Sequence, residues 1–176
     1  MELMDVYDEN RVKTGCTFER GTKLAAGEYC AVVLVCIFNS EGKLLIQQRQ
    51  SFKQGWPDMW DVSVGGGVLA GETSKQAAER ETMEELGYKL EIEDARPHLT
   101  VSFENGFSDF YIVEREIDIE SLELQYEEVQ AVRWAGLDEI HELIITGKFI
   151  PLKSGLIDLL FAMRKQRGTM YVGQEY

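Results

Sequence analysis

Hydrophobic residues along the chain follow the two-residue period of strands in some segments and the longer period of helices in others. Apolar and β-branched residues dominate 28–38, and a turn at 39–42 separates them from a second apolar run at 43–48. This pattern predicts two buried strands joined as a hairpin. Shorter apolar runs predict further strands at 12–19, 89–92, 99–103, 107–114 and 129–134.

Three segments carry helical signals. Thr73 and Gln76 have the spacing of a capping box, and Gly87 is placed to end that helix in a left-handed conformation. A short helix is expected at 137–146, and a last helix with one apolar face at 154–167. Because strands and helices are mixed along the chain, the sequence predicts an α/β layered domain.

The 176 residues contain no repeat and no Pro/Gly/Ser linker that would divide them. We expect an N-terminal extension at 1–28 with short strands, packed on a main domain at 29–165, and a C-terminal tail at 166–176. The longest apolar run, ten residues at 29–38, is too short to span a membrane, and the N-terminus lacks a signal-peptide pattern. These features predict a cytoplasmic protein.

Charge and metal-ligand composition exclude several classes of partner. Eighteen Lys and Arg against 31 Asp and Glu give a formal net charge of −13, which argues against binding to a nucleic acid polymer or an anionic membrane. The chain has three cysteines without a CxxC pair and two histidines, so a zinc site is not expected. A substrate that carries phosphate would need local cations or a bound metal.

Candidate chemistry is concentrated around three glutamates. Glu81, Glu84 and Glu85 lie at positions i, i+3 and i+4 of the first predicted helix, so their carboxylates project from one face. Like charges at this spacing repel, and a cluster of oxygens suits a hard divalent cation such as Mg²⁺ or Mn²⁺. A solvated acidic helix face would give the same pattern. The metal site is favoured because Arg80 adjoins the cluster and can hold one carboxylate in place.

The segment 66–88 resembles the Nudix box, G-x5-E-x7-R-E-U-x-E-E-x-G-U, in which U is a bulky apolar residue. Every charged and glycine position of the box is present, and a glycine-rich loop at 65–67 leads into it. The one departure is Thr82 at a position that is usually aliphatic, and we expect Thr82 to face the core. Residues at 44–61 and 127–139 are also similar to the subfamily related to isopentenyl-diphosphate isomerase.

The resemblance implies a Nudix-type α/β/α sandwich with a mixed central sheet. It also implies a hydrolase acting on phosphorus-containing acid anhydrides, with Mg²⁺ or Mn²⁺ as cofactor. The expected reaction is attack of water on the diphosphate linkage of a nucleoside diphosphate joined to another group, or of a related small phosphate ester. Metals neutralise phosphate charge and lower the pKa of the attacking water in such reactions.

The resemblance assigns roles to individual residues. The implied metal ligands are three carboxylates and one backbone carbonyl, those of Glu81, Glu84, Glu85 and Gly65. Arg80 and Glu72 complete the catalytic segment. The general base varies in this family, so Glu81, Glu127 and Glu128 stay open as candidates. The last two are also candidates for substrate binding, against the alternative of an exposed loop.

Arg49 and Lys53 are the cationic candidates for the substrate diphosphate. Arg offers bidentate hydrogen bonds to phosphate oxygens and Lys offers a point charge. The matching positions in the isomerase-like subfamily face the substrate phosphates, whereas ordinary surface charge is the alternative here. Aromatic residues at 103–111 form either a base-stacking platform or part of the core.

Two other functions can be weighed against hydrolysis. Isomerases of the family use the cysteine and the metal-binding histidine of an S-V-C-G-H stretch, and here Gly65 and Gly67 occupy those positions. Glycine offers neither a proton to transfer nor an imidazole, which argues against isomerisation and leaves the metal without a histidine ligand. A non-catalytic nucleotide sensor is the second alternative, and the nearly intact box favours the hydrolase.

Overall fold

The computed structural model describes residues 2–168 and 170. The strands in this part of the chain are β1 (Leu3–Tyr7), β2 (Lys13–Glu19), β3 (Cys30–Phe38), β4 (Leu44–Arg49), β5 (Trp60–Asp61), β6 (Val64–Gly67), β7 (Leu99–Phe103), β8 (Gly106–Glu114) and β9 (Val129–Ala135). The helices are α1 (Ser74–Leu86), α2 (Leu137–Ile145) and α3 (Ser154–Met163). Most of the predicted tail at 166–176 lies outside the described residues.

The central sheet is mixed and has seven strands. Five of them follow the order β5-β4-β3-β8-β7, while β9 pairs with β4 and β6 pairs with β3. The central strand β3 runs parallel to β8 and antiparallel to β6. Strands β1 and β2 form a separate antiparallel sheet, which main-chain hydrogen bonds between Tyr7 and Tyr29 and from Ala70 to Leu3 attach to the domain.

Helices cover both faces of the central sheet, as the two-residue period of β3 requires. Its residues Val33 and Val35 pack with Ala77 of α1, whereas Cys36 and Phe38 pack in the cluster that contains residues of α2 and α3. All four of these β3 side chains are fully buried. The predicted α/β/α sandwich is therefore confirmed.

Local sequence signals account for α1. The Thr73 side chain accepts a hydrogen bond from the Gln76 amide, and the Gln76 side chain accepts one from the Thr73 amide. Gly87 ends the helix at φ 64° and donates to the Met83 carbonyl at 3.0 Å. Thr82 is buried, as predicted. Its hydroxyl donates to the Ala78 carbonyl at 2.7 Å, so burial leaves no polar atom of this side chain without a partner.

The predicted hairpin of β3 and β4 is correct at its turn and wrong along its strands. The two strands share only the pair Phe38 and Leu44. Beyond it the hydroxyl of Ser63 lies between them, accepting from the Ile37 amide at 2.8 Å and donating to the Leu45 carbonyl at 2.6 Å. Strand β4 pairs along its length with β9 instead.

Three other predictions also need correction. The glycine-rich loop at 65–67 belongs to strand β6, since these residues lie opposite Leu34, Val33 and Val32 of β3. The segment 89–92 is irregular, although Leu90 and Ile92 are buried, because the Ile92 amide donates to the Glu79 carboxylate. Helix α3 ends at Met163, because only polar residues follow it up to 167.

None of the helices in the described part of the chain has the length and apolar character that a membrane span requires.

Gly87 and Gly147 follow helices with nearly the same backbone, at φ 64° and 67°, but in different surroundings. A Cβ on Gly87 would lie 2.8 Å from Glu123 Cβ, whereas a Cβ on Gly147 would meet no atom within 4 Å. We expect Gly147→Ala to lose about 1 kcal/mol of unfolding free energy from the left-handed backbone alone. Gly87→Ala should lose roughly 1–3 kcal/mol more from overpacking. Urea unfolding measures both, and equal losses would contradict the close contact at Gly87.

Candidate active site

The side chain of Arg80 lies at the centre of the carboxylate cluster. Its guanidinium donates to both carboxylate oxygens of Glu72, at 2.8 and 3.0 Å, and to Glu84 at 2.9 Å. It also lies 3.0 Å from Glu81 Oε1. A further hydrogen bond to the Gly67 carbonyl, at 2.9 Å, ties α1 to β6. Bidentate guanidinium–carboxylate contacts are strong and geometrically specific, so Arg80 fixes the helix and the strand relative to each other.

Glu72 anchors Arg80 from the loop before α1. Its carboxylate also accepts a hydrogen bond from the Leu69 amide at 3.0 Å. Although partial burial acts to raise it, these hydrogen bonds hold the pKa of Glu72 below its usual value. Glu72 therefore stays ionised and orients the arginine.

Glu81 packs against the backbone of β6. Its side chain is buried, and a Cβ on Gly66 would lie only 2.0 Å from the Glu81 carboxyl carbon and oxygen. Only glycine at position 66 leaves this space for the carboxylate. The neighbouring Gly65 is different, because its nearest contact would be the Val33 carbonyl at 3.8 Å.

Glu85 is the most buried carboxylate of the cluster. It accepts a hydrogen bond from Gln47 Nε2 at 3.0 Å and is 4% exposed. Burial, reinforced by the charge of Glu81, raises the pKa of Glu85 to about 8. Burial also raises the pKa of Glu81, even though Arg80 acts to lower it. Two adjacent buried carboxylates thus lack full compensation of their charge.

The chemistry of these side chains fits a hard divalent cation. All three predicted ligand side chains are carboxylates, and the two buried ones would gain most from a nearby cation. Within residues 2–168, however, no three His, Cys, Asp or Glu side chains already form a group that could hold a metal. Arg80 binds Glu84, and Gln47 binds Glu85. To bind a metal, Glu84 would have to leave Arg80. Its side chain is 49% exposed, so it has room to move.

The structure separates the two glutamates at 127 and 128. The charge of Glu128 contributes to the raised pKa of Glu85, and the Glu128 carboxylate pairs with Lys53 Nζ. Glu127 is exposed and takes part in neither contact. Lys53 is therefore engaged with Glu128 rather than extended toward a substrate.

Asp61 is a site residue that the sequence reasoning missed. It lies opposite Gln47 in the β4–β5 pair and is 6% exposed. Burial raises the pKa of Asp61 to about 6, although Arg49 at 3.5 Å acts to lower it. The negative charge of Asp61 also contributes to the raised pKa of Glu85. Gln47, a polar residue in an apolar strand, was the signal that could have indicated this position.

A cavity of about 580 Å³ adjoins β6. Its lining includes Asp61 and Arg49 together with the glycines of β6, and the Glu81 carboxylate lies directly against Gly66 of this wall. Apolar and aromatic residues make up much of the remaining wall, among them Phe18, Leu24, Val32, Leu34, Trp56, Phe103, Phe110, Ile150 and Leu152. This volume and lining suit an organic ligand of nucleotide size.

The aromatic residues at 103–111 divide between the two roles considered for them. Phe107 and Tyr111 are buried in the core beside α1. Phe103 is 43% exposed and lines the cavity, and Phe110 lines it while packing in the other core cluster. Only part of this group is therefore available to a ligand.

Comparison with solved structures agrees with the fold described above. The DR0079 protein of Deinococcus radiodurans is similar with a TM-score of 0.71 and 26% sequence identity, covering 90% of this chain and 97% of that one. The NUDIX domain of Shewanella oneidensis NrtR, solved with ADP ribose, has the same fold at 16% identity. Its TM-score is 0.58, and the match covers 84% of this chain and 92% of that domain.

Sequence comparison is more specific. The NUDIX domain model matches residues 28–153. A Nudix hydrolase of Listeria monocytogenes is 47% identical over 151 residues, which cover 86% of this chain and 89% of the relative. A Nudix hydrolase of Listeria innocua matches to the same extent. Helix α1 and strand β6, which carry the carboxylate cluster, thus both lie within the matched domain. The chain belongs to the Nudix family of hydrolases, which act on phosphorus-containing acid anhydrides.

Proposed function

We propose that this hydrolase is a metal-dependent pyrophosphohydrolase. Its substrate is a nucleoside diphosphate linked to another group, or a related small phosphate ester. The observation that carries the proposal is the pair of buried, incompletely compensated carboxylates, Glu81 and Glu85, held beside a cavity of nucleotide size.

Glu81, Glu84, Glu85 and the Gly65 carbonyl would hold Mg²⁺ or Mn²⁺, which supplies neutralisation of phosphate charge and a more acidic attacking water. Arg80, which is itself fixed by Glu72 and the Gly67 carbonyl, lies 3.0 Å from Glu81 Oε1 and holds helix α1 in place beside β6. A preorganised arrangement of this kind needs little rearrangement during the reaction.

Among the three predicted candidates for the general base, the contacts favour Glu128. Glu81 is needed as a ligand, and Glu127 is exposed. Glu128 pairs with Lys53 Nζ, and its charge contributes to the raised pKa of Glu85, so we infer that its carboxylate accepts the proton of the attacking water.

Arg49 is the stronger of the two predicted phosphate-binding cations. It lines the cavity, whereas Lys53 is bound to Glu128. In the same cavity Trp56 is 51% exposed and Phe103 is 43% exposed, so both rings can contact a nucleobase. The ADP ribose bound by the NrtR domain supports a nucleotide-derived substrate.

We also infer membership of the isomerase-like subfamily, from the residues at 44–61 and 127–139, with hydrolysis in place of isomerisation. Gly65 and Gly67 carry no side chain that could transfer a proton or bind the metal. The chemistry therefore depends on water, the carboxylates and the cation.

A substrate panel tests the proposed function. Nucleoside di- and triphosphates, ADP-ribose, NADH and dinucleoside polyphosphates are incubated with Mg²⁺ or Mn²⁺, and both product fragments are identified. We expect a phosphate-containing product from at least one nucleoside diphosphate derivative, and none in excess chelator. Conversion of isopentenyl to dimethylallyl diphosphate at roughly 1 s⁻¹ or faster, a rate typical of enzymes, would contradict hydrolysis as the function.

Substitution of two neighbouring glycines tests the position of Glu81. Gly66→Ala forces the Glu81 carboxylate to move, because the new Cβ would lie 2.0 Å from it. A misplacement of about 1 Å can cost roughly 100-fold in rate, so we expect kcat to fall by about that factor. Gly65→Ala adds the same methyl group where there is room and keeps the carbonyl, so its kcat should stay close to wild type. Equal kcat values for the two variants would show that the contact at Gly66 does not matter.

Replacement of Glu85 by Gln separates stability from catalysis. The folded protein holds the Glu85 proton more tightly than the unfolded chain, whose glutamate pKa is near 4.5. Raising the pH from about 4.5 to 8 therefore removes stability from the metal-free wild type, and this loss is absent in Glu85→Gln. We expect the variant in chelator to be more stable at pH 7.5 by at least about 1 kcal/mol, roughly one pKa unit, and equally stable at pH 4.5.

Glu142→Gln is the matched control, because it makes the same change at an exposed helical position. Its stability should follow the wild type at both pH values. Turnover by Glu85→Gln should fall at least about 100-fold, and stabilisation by Mg²⁺ should shrink. A Glu85→Gln protein that unfolds more readily in chelator would instead assign Glu85 a structural role.

A further inference from the structure

The N-terminal segment forms one wall of the cavity. Met4 of β1, Phe18 of β2 and the loop residues Arg20, Lys23 and Leu24 all line it. Hydrogen bonds from Ala70 to Leu3 and from the Gly71 amide to Asp5 hold this segment beside the start of the Nudix box. Residues before the matched domain at 28–153 therefore contribute to the candidate site.

Two side chains of this segment lie next to Gly67. A Cβ on Gly67 would lie 3.1 Å from Met4 Cε and 3.9 Å from Arg20 Nε. Strand β6 thus has no side chain of its own at this position, and Arg20 brings a guanidinium there. Although burial acts to lower it, Glu2 and the nearby charges of Glu81 and Glu128 raise the pKa of Arg20 above its usual value. Because Arg80 donates to the carbonyl of the same Gly67 at 2.9 Å, the Arg20 guanidinium lies next to the residue on which the cluster is anchored.

Three other cations close to the cluster already have partners inside the site. Arg80 binds the cluster itself, Arg49 lies 3.5 Å from Asp61, and Lys53 pairs with Glu128. Arg20 pairs with Glu2 at 2.8 Å, and both side chains are 47% exposed. An ion pair this exposed contributes little to stability and exchanges easily. The Arg20 amide also donates to the Glu2 carbonyl at 2.9 Å, so the backbone holds these two residues together without the side-chain pair.

We propose that Arg20 is a substrate-binding residue, which exchanges Glu2 for a phosphate group of the substrate beside Gly67. A guanidinium can bind phosphate oxygens with two hydrogen bonds, whereas Arg20 makes a single exposed side-chain contact with Glu2. Arg20 thereby compensates part of the diphosphate charge that the acidic cluster repels. This inference rests on the proposed function and adds a residue to its site.

Three variants distinguish substrate binding from a structural ion pair. Arg20→Gln removes the cation, Glu2→Gln removes its partner and keeps the cation, and Arg20→Lys keeps a point charge. With the panel compound that the wild type hydrolyses fastest, Arg20→Gln should raise KM at least about 10-fold, the low end for a charge-assisted hydrogen bond. Glu2→Gln should leave KM unchanged or lower it, and Arg20→Lys should recover part of the loss. The same rise in KM for Arg20→Gln and Glu2→Gln would overturn the proposal.

Calorimetric titration with ADP and Mg²⁺ gives a readout that does not require turnover. Lys89→Gln is the control, because the Lys89 side chain is 81% exposed and pairs with Glu91. We expect wild type and Lys89→Gln to bind ADP equally and Arg20→Gln to bind at least about 10-fold more weakly. Equal affinity of Arg20→Gln and wild type, or no binding of ADP by the wild type, would overturn the role of Arg20. A wild type that binds ADP but hydrolyses no panel compound would contradict the proposed function alone.

Discussion

The contact of one guanidinium with several carboxylates is the constraint on which the site depends. Arg80 is anchored by Glu72 and by the Gly67 carbonyl, so the start of the Nudix box, strand β6 and helix α1 keep fixed relative positions. The same arginine cannot neutralise every acid around it. Burial raises the pKa values of Glu81 and Glu85, so their ionised forms lack a sufficient counter-charge, and a divalent cation would supply it.

Strand β6 connects this cluster with the cavity. Gly66 leaves space for the Glu81 carboxylate, and the absence of a side chain at Gly67 leaves space for Met4 and Arg20 from the N-terminal segment. Gly66 and Gly67, which are successive in the strand, therefore allow close approach from both of its sides. A site assembled in this way combines residues that are far apart in the sequence, and the N-terminal segment becomes part of it.

The sequence predicted those features whose signals are local. Helix α1 begins and ends as its capping box and Gly87 indicate, since both act within a few residues of the backbone they cap. Strand β6 was not predicted, because it depends on pairing with the distant strand β3. The separation of β3 from β4 was not predicted either, because it depends on the hydroxyl of Ser63, which comes from another part of the chain. Asp61 and Arg20 escaped prediction for a similar reason, because only folding brings Asp61 opposite Gln47 and Arg20 next to Gly67.

Diffraction from crystals grown with Mn²⁺, recorded so that the anomalous signal locates the metal, tests the central claim most directly. We predict Mn²⁺ bound by Glu81, Glu84 and Glu85, with Glu84 released from Arg80 and Arg80 still bound to Glu72. Mn²⁺ bound at another place, or an unchanged contact of Glu84 with Arg80 and no metal at Glu81 and Glu85, would contradict it.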